Sequence, residues 1–262
     1  MNAKEKPPVD EKEQELKEQP LISHLVELRD RVLRSFIAVI VVFLAMVYWA
    51  NDIYEYVANP LTSVLDPETV GMISIKPLDS FMVPFKLTFM IALFICIPYI
   101  LHQAWAFISP GLYKNEIRVT FPIIVSSVIL FYTGVAFSYY VILGYVFEFL
   151  VSVAPEDVTV APDMAAYMDL VMGLFLGFGL VFEIPVALVL LVISGVVTPA
   201  DLVEKRSYAI IANFAIAMVI TPADPYSMML MAMPMCLLYE VGIIASRVFY
   251  KAKVEKEAKG SE

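Results

Sequence analysis

The stretch HQAWAFISPGLYKNEIR, residues 102–118, decides how this chain is built, because it sets Lys114 and Arg118 between two long apolar runs. Basic residues beside membrane spans are retained on the cytoplasmic side. Working outward, the arrangement recurs. Lys4 to Arg34 lie before it, and Lys205 with Arg206 and then Arg247 to Lys259 lie after it, each cluster separated from the next by two apolar runs. Of the 18 lysines and arginines, only Lys76 and Lys86 fall elsewhere. Two crossings between successive clusters return the chain to the same face. The pattern predicts an all-α, polytopic integral membrane protein with six transmembrane helices and both termini in the cytoplasm.

Composition agrees with a bilayer as part of the solvent. Hydrophobic residues make up 60% of the chain and charged residues 17%, against about 45–50% and about 25% in ordinary soluble domains. The net charge of -9 reflects topology rather than a basic partner. Asp52, Glu55, Asp66, Glu68 and Asp79 fall in the first outer loop, Glu148, Glu156, Asp157, Asp163 and Asp169 in or beside the second, and Asp224 in the third. Residues 1–34 are too polar and too long for the n-region of a cleavable signal peptide, so the first span reads as an uncleaved anchor. Cys96 and Cys236 each sit in an apolar run as small hydrophobic thiols, with no sign of a disulfide framework or a metal site.

The chain divides into three regions. Residues 1–19, rich in Lys, Glu, Gln and Pro, read as a disordered cytoplasmic tail, residues 20–249 as a six-helix transmembrane domain, and residues 250–262 as a charged cytoplasmic tail, helical or disordered. The spans are expected at about 35–50, 81–106, 119–141, 168–192, 207–221 and 227–245, with kinks at Pro84 and Pro98 in the second. The first two outer loops contain the apolar stretches YEYVANPL and YVFEFLVSV, expected as short interfacial helices that cap the outer face. Pro222 to Tyr226 reads as a tight turn that makes spans 5 and 6 a hairpin. Span 5 has about fifteen residues and reaches only ~22 Å, against a ~30 Å hydrocarbon core. Local thinning of the bilayer is the expected consequence.

Few polar residues remain to carry chemistry. Glu183 lies near the middle of span 4, two residues before Pro185 in GFGLVFEIPV. A mid-span carboxyl costs roughly 2.5–3.5 kcal/mol on insertion scales and so needs a reason, either a satisfied neutral acid or a polar contact in function. Pro185 leaves the Val181 carbonyl without its helical donor, which a protonated Glu183 could replace. Gly173 and Gly177 form a GxxxG that suits close helix packing. In LISHLVELRDR, residues 21–31, Glu27, Asp30, Arg31 and Arg34 share one helical face, while Arg29 falls with the apolar set beside Ile22 and Leu33. A guanidinium there wants a carboxylate, a backbone carbonyl or a lipid phosphate. In the turn after span 2, Pro110 and Gly111 break the helix and set Phe107, Leu112 and Tyr113 near Glu116, a pairing that suits a peptide with a cation and an apolar side chain, or equally an interfacial aromatic belt. His24 and His102 read as interfacial polar residues. No phosphate-binding loop, zinc helix or nucleophile elbow occurs, so the chain is not read as an enzyme and no cofactor is called.

Taken together, HLVELRDR (24–31), FISPGLYKNE (107–116), FEIPV (182–186), TPADPYSM from residue 221 and MPMCLLYE ending at residue 240 resemble the TatC family, the polytopic core of the twin-arginine protein translocase. The resemblance covers about residues 18–250. It implies a receptor in the bacterial cytoplasmic (inner) membrane for twin-arginine signal peptides of folded export substrates, driven by the proton-motive force. It further implies TatA- and TatB-type single-span partners, membrane lipids, a homo-oligomeric arrangement in a larger complex, and no nucleic acid. Glu27 and Glu116 match the positions that read the paired arginines, with Arg29 and Phe107 in the same motifs. Glu183 matches the family's intramembrane glutamate, and Pro60 and Asp224 match outer-loop and hairpin-tip positions that contact partners. Met228 stands where some relatives carry a polar glutamine. Two alternatives compete with this reading: a proton-coupled secondary transporter using Glu183, disfavoured by the lack of a repeat, of paired broken helices and of a second intramembrane charge, and a scaffold without substrate contact.

Overall fold

A computed structural model describes residues 9–62, 72–108, 117–152, 162–220 and 225–259. Among these residues there is no β-strand, and the chain is a bundle of helices. Helix α1, Val9–Met46, passes through a 3-10 turn, Val47–Trp49, into α2, Ala50–Thr62. Helices α3, Asp79–Ile95, and α4, Ile97–Ile108, come next, then α5, Ile117–Phe137, a π turn, Ser138–Ile142, and α6, Leu143–Ser152. Helices α7, Met164–Val181, and α8, Ile184–Ile193, lead through the short α9, Pro199–Glu204, to α10, Arg206–Ile220, and α11, Pro225–Lys259.

Four helical rods are long and apolar enough to cross a membrane: Leu25–Asn59, Phe121–Phe149, Met164–Ile193 and Met228–Lys251. The pair α3 and α4 meets the same test but bends by 53°, and Arg206–Val219 is a shorter apolar helix. Four spans therefore meet the test of length and composition, or five with the bent pair taken as one, where the alternation of basic clusters and apolar runs predicts six. At 15 residues, α10 is as short as its sequence suggested.

The start of the described chain differs from expectation. Residues 9–19, read as a disordered tail, are helical and continuous with the first span. Glu, Lys and Gln are strong helix formers, and Glu13 stands four residues before Lys17 in the favourable order. The two apolar loop stretches are helical as expected, but they extend the span helices rather than standing apart. A π turn inserts one residue into the ladder and re-aims the helix beyond it, and α6 thereby leans on α2. The Tyr139 hydroxyl donates to the Tyr56 carbonyl at 3.0 Å, the Tyr167 hydroxyl to that of Val57 at 3.2 Å, and the Tyr56 and Tyr139 rings stack at 5.7 Å. The two loops are also tied directly, Ile73 N–H to the Pro162 carbonyl at 3.0 Å and Met164 N–H to that of Ile73 at 2.9 Å.

Burial ranks the helices. In the most apolar window of Leu25–Asn59 only 11% of residues are buried, against 44% in that of Met164–Ile193, so α1 is peripheral and α7–α8 forms the axis. Leucine, valine and phenylalanine on the outer faces, Val41 and Phe36 among them, are what a lipid environment requires. The axis packs on α5 through a reciprocal contact of glycine and ring. A Cβ on Gly134 would come within 2.5 Å of the Phe178 carbonyl oxygen, and one on Gly179 within 2.6 Å of the Phe131 ring. Gly173, half of the expected GxxxG, meets open space instead. Closeness here is set by which glycine faces α5, a property that spacing alone does not reveal. Gly242 gives α8 the same access to α11, where Leu188 fills the gap. Gly195, at φ +76°, lets the chain leave α8 sharply, and α9 starts under a reciprocal cap between Thr198 and Asp201.

Candidate functional site

Polar contacts inside the bundle concentrate in two places. The first joins α1 to α4. Arg31 donates from Nε and Nη2 to the Glu27 Oε1 atom at 3.0 and 2.6 Å, and from Nη1 to the Gln103 Oε1 atom at 3.0 Å. Glu27 and Arg31 stand one helical turn apart, the spacing that brings an acid and a base together. Gln103 is buried, so its oxygen is a fixed acceptor. The Glu27 side chain retains 38% of its exposure and that of Arg31 only 23%. The guanidinium therefore lies inward and the carboxylate toward the surface. Phe107 is half-buried and one turn beyond Gln103, hence on the same face of α4. Thus Glu27 and Phe107 share one end of the bundle.

Arg29 does not join this group. It is 65% exposed and pairs with its neighbour Asp30 at 2.7 Å. The apolar side of α1 faces outward, Leu25 and Val32 being exposed, and of the partners expected for a guanidinium there, a carboxylate, a carbonyl or a lipid phosphate, the structure shows the carboxylate of Asp30. Glu116 and Asp224 lie outside the described residues, as does most of the 222–226 turn, and Pro60 lies within α2.

The second place is the break between α7 and α8. Pro185 cannot donate to the Val181 carbonyl, and the ladder is interrupted at Phe182 and Glu183. The Glu183 N–H turns to the Leu180 carbonyl at 3.1 Å, three residues back. The side chain crosses to α5, where the Ser127 hydroxyl donates to Glu183 Oε2. Glu183 Oε1 is buried without a hydrogen-bond partner. No lysine or arginine among the described residues pairs with it. An unsatisfied buried oxygen is costly, and a polar group brought to it from outside would recover that cost.

Other groups steady these two places without having been legible in the sequence. The bend at Cys96 frees the Phe94 carbonyl, because Pro98 has no N–H, and the Tyr132 hydroxyl of α5 donates to it at 2.9 Å. Among the described residues one pair of helices, α3 and α4, is bent by 53°, whereas Met164–Ile193 continues as one 30-residue rod. Arg206 pairs with Glu240 at 2.7 Å and joins α10 to α11. Inside that pair of helices the Asn213 amide faces Cys236 Sγ at 3.6 Å. Met228 packs against the main hydrophobic core, which gives the apolar residue at that position a structural reason. Among the described residues no cluster of metal-ligating side chains occurs.

A helical bundle of membrane-length rods, with an intramembrane carboxyl at a helix break and a half-exposed carboxylate–arginine pair at one end, defines a polytopic membrane protein. The comparisons narrow the class. A family model for the Sec-independent protein translocase protein (TatC) matches residues 23–234. The TatC protein of Haemophilus influenzae is 50% identical over 240 residues, covering 92% of this chain and 93% of that one. That of Escherichia coli strain K12 is 49% identical over 235 residues, covering 90% of each. A crystal structure of the twin arginine translocase receptor TatC superposes with a TM-score of 0.75 at 34% identity, covering 86% of this chain and 98% of that chain. The chain belongs to the TatC family.

Proposed function

We propose that this chain is the receptor subunit of a twin-arginine protein translocase in the bacterial inner membrane. Its six spans are α1–α2, α3–α4, α5–α6, α7–α8, α10 and α11, with both termini cytoplasmic. The observation that carries the reading is the Glu27 carboxylate, which accepts an arginine fork at the surface of the bundle. Glu27 and Glu116 hold the two arginines of a signal peptide, in charge-assisted contacts that lysine reproduces poorly. Phe107 supplies apolar contact beside them, and Arg29, exposed on the same helix, belongs to the same cytoplasmic surface.

The bound peptide then inserts along the bundle towards Glu183, whose unpartnered Oε1 is the polar contact for an inserted segment or a TatA- or TatB-type helix. Pro60 and Asp224 contribute outer-loop and hairpin-tip contacts with partners. Several copies work together in a larger complex, the proton-motive force supplies the energy, and short α10 thins the bilayer beside it. A transporter reading would use the same carboxyl, but among the described residues its side-chain hydrogen bond is to the Ser127 hydroxyl and not to a second acid. Charge reversal at Glu27 or Glu116 is expected to lower crosslinking of twin-arginine peptides while leaving membrane insertion intact. Undiminished crosslinking to both variants would overturn the assignment.

A further inference from the structure

The carboxylate proposed to read an incoming arginine is already occupied by one. Arg31 approaches Glu27 Oε1 with two nitrogens, at 3.0 and 2.6 Å, and its third nitrogen is held by Gln103 at 3.0 Å. Gln103 is buried, on another helix, 72 positions away in the chain. An exposed i,i+4 pair samples many rotamers, but this guanidinium has a fixed acceptor on its inner side. Arg34, one turn further along, is exposed and has no ion-pair partner among the described residues. The contrast singles out Arg31.

We infer that Arg31 is an internal ligand of the arginine-reading carboxylate, anchored by Gln103, and that a signal peptide binds by displacing it. The inference rests on the proposed role of Glu27. Its physical content is a population argument. Where a site is free only for a fraction of the time, the apparent dissociation constant rises by the inverse of that fraction. The factor is the same for every ligand of the site, so Arg31 sets a threshold of affinity without altering the preference for arginine over lysine. Weak cationic segments fall below the threshold, and a strong pair of arginines clears it. Displaced Arg31 keeps its Gln103 acceptor and need not be left as a buried, unpaired charge.

The test uses the full-length chain in lipid nanodiscs and a fluorescent twin-arginine peptide, with its twin-lysine counterpart as a second probe. Gln103→Leu removes the anchor without changing charge and is expected to bind both peptides about two- to fivefold more tightly, the scale of a partly exposed ion pair. Arg31→Gln is expected to tighten binding by at least that factor. Arg34→Gln, which removes the same charge one turn away, reports the general electrostatic gain and is expected to give less than Arg31→Gln. The arginine-to-lysine affinity ratio should stay constant throughout. Weaker or unchanged binding in Gln103→Leu and Arg31→Gln would overturn the internal ligand, as would equal gains in Arg31→Gln and Arg34→Gln or a changed ratio, which indicates positioning instead. Glu27→Gln separates the two levels. If it binds like the parent, the reading of Glu27 itself fails; if it binds more weakly while the other variants show no gain, only the role of Arg31 fails.

Discussion

Glu183 and Ser127 show how one intramembrane acid is kept. The carboxyl sits where Pro185 has already broken the helical ladder, and a hydroxyl from a second helix takes one of its oxygens. Ser127→Ala removes that donor and is expected to destabilise the bundle by about 1–2 kcal/mol. Transport should fall several-fold, with Ser127→Thr restoring it. Parental transport and melting temperature in Ser127→Ala would show that the bond is dispensable. Glu183 was legible in the sequence because a lone charge in an apolar run is conspicuous. Ser127 was not, since it lies 56 positions away and periodicity does not name contacts between helices. The same limit separates Arg31 from Gln103: the pairing with Glu27 follows from a four-residue spacing, but the anchor on α4 does not. The surroundings of Arg29 were open for a related reason. A helical wheel orders faces, but it does not say whether an apolar face meets protein or lipid.

At the scale of elements, the long apolar helices were legible and their joints were not. Runs of apolar residues between basic clusters gave six positions, because hydrocarbon thickness sets a minimum length. The 3-10 turn after α1 and the π turn after α5 leave no comparable mark, and so the loop helices were expected to be separate pieces. Two joints give direct tests. Gly134→Ala would push a methyl against the Phe178 carbonyl, a backbone atom that can yield only if α5 and α7 move apart. A loss of about 1–3 kcal/mol is expected, read as a lower melting temperature in detergent, whereas Gly173→Ala should be neutral because that position is open. At the other joint, Asp201 accepts from the Thr198 N–H at 2.7 Å and hydroxyl at 2.8 Å. These bonds hold its carboxyl below the usual carboxylate range. A depressed pKa in the folded state means that the cap contributes above the ordinary carboxylate pKa, about 3.9, and is lost as pH falls through the lower folded value. Amide exchange in α9 should therefore accelerate only in acid, and Asp201→Asn should move that loss to neutral pH.

Over the whole molecule, polar contacts tie the helices at both ends of the bundle. The tyrosine bonds to the Tyr56 and Val57 carbonyls and the short pairing of Ile73 with Pro162 and Met164 close one end. The other end holds the Glu27, Arg31 and Gln103 network and the start of short α10. Length belongs to this scale, because a helix of 15 residues matters only against the bilayer around it. Adding one apolar turn to α10 is expected to reduce transport without reducing signal-peptide binding. Unchanged transport would separate the short helix from function. The most direct measurement of the receptor assignment is the affinity of a twin-arginine peptide for the purified chain, compared with that of the same peptide carrying two lysines. Saturable binding that weakens when both arginines become lysines, and weakens again in Glu27→Gln, is the expected result. Equal affinity for the two peptides, or no binding of either, would contradict it.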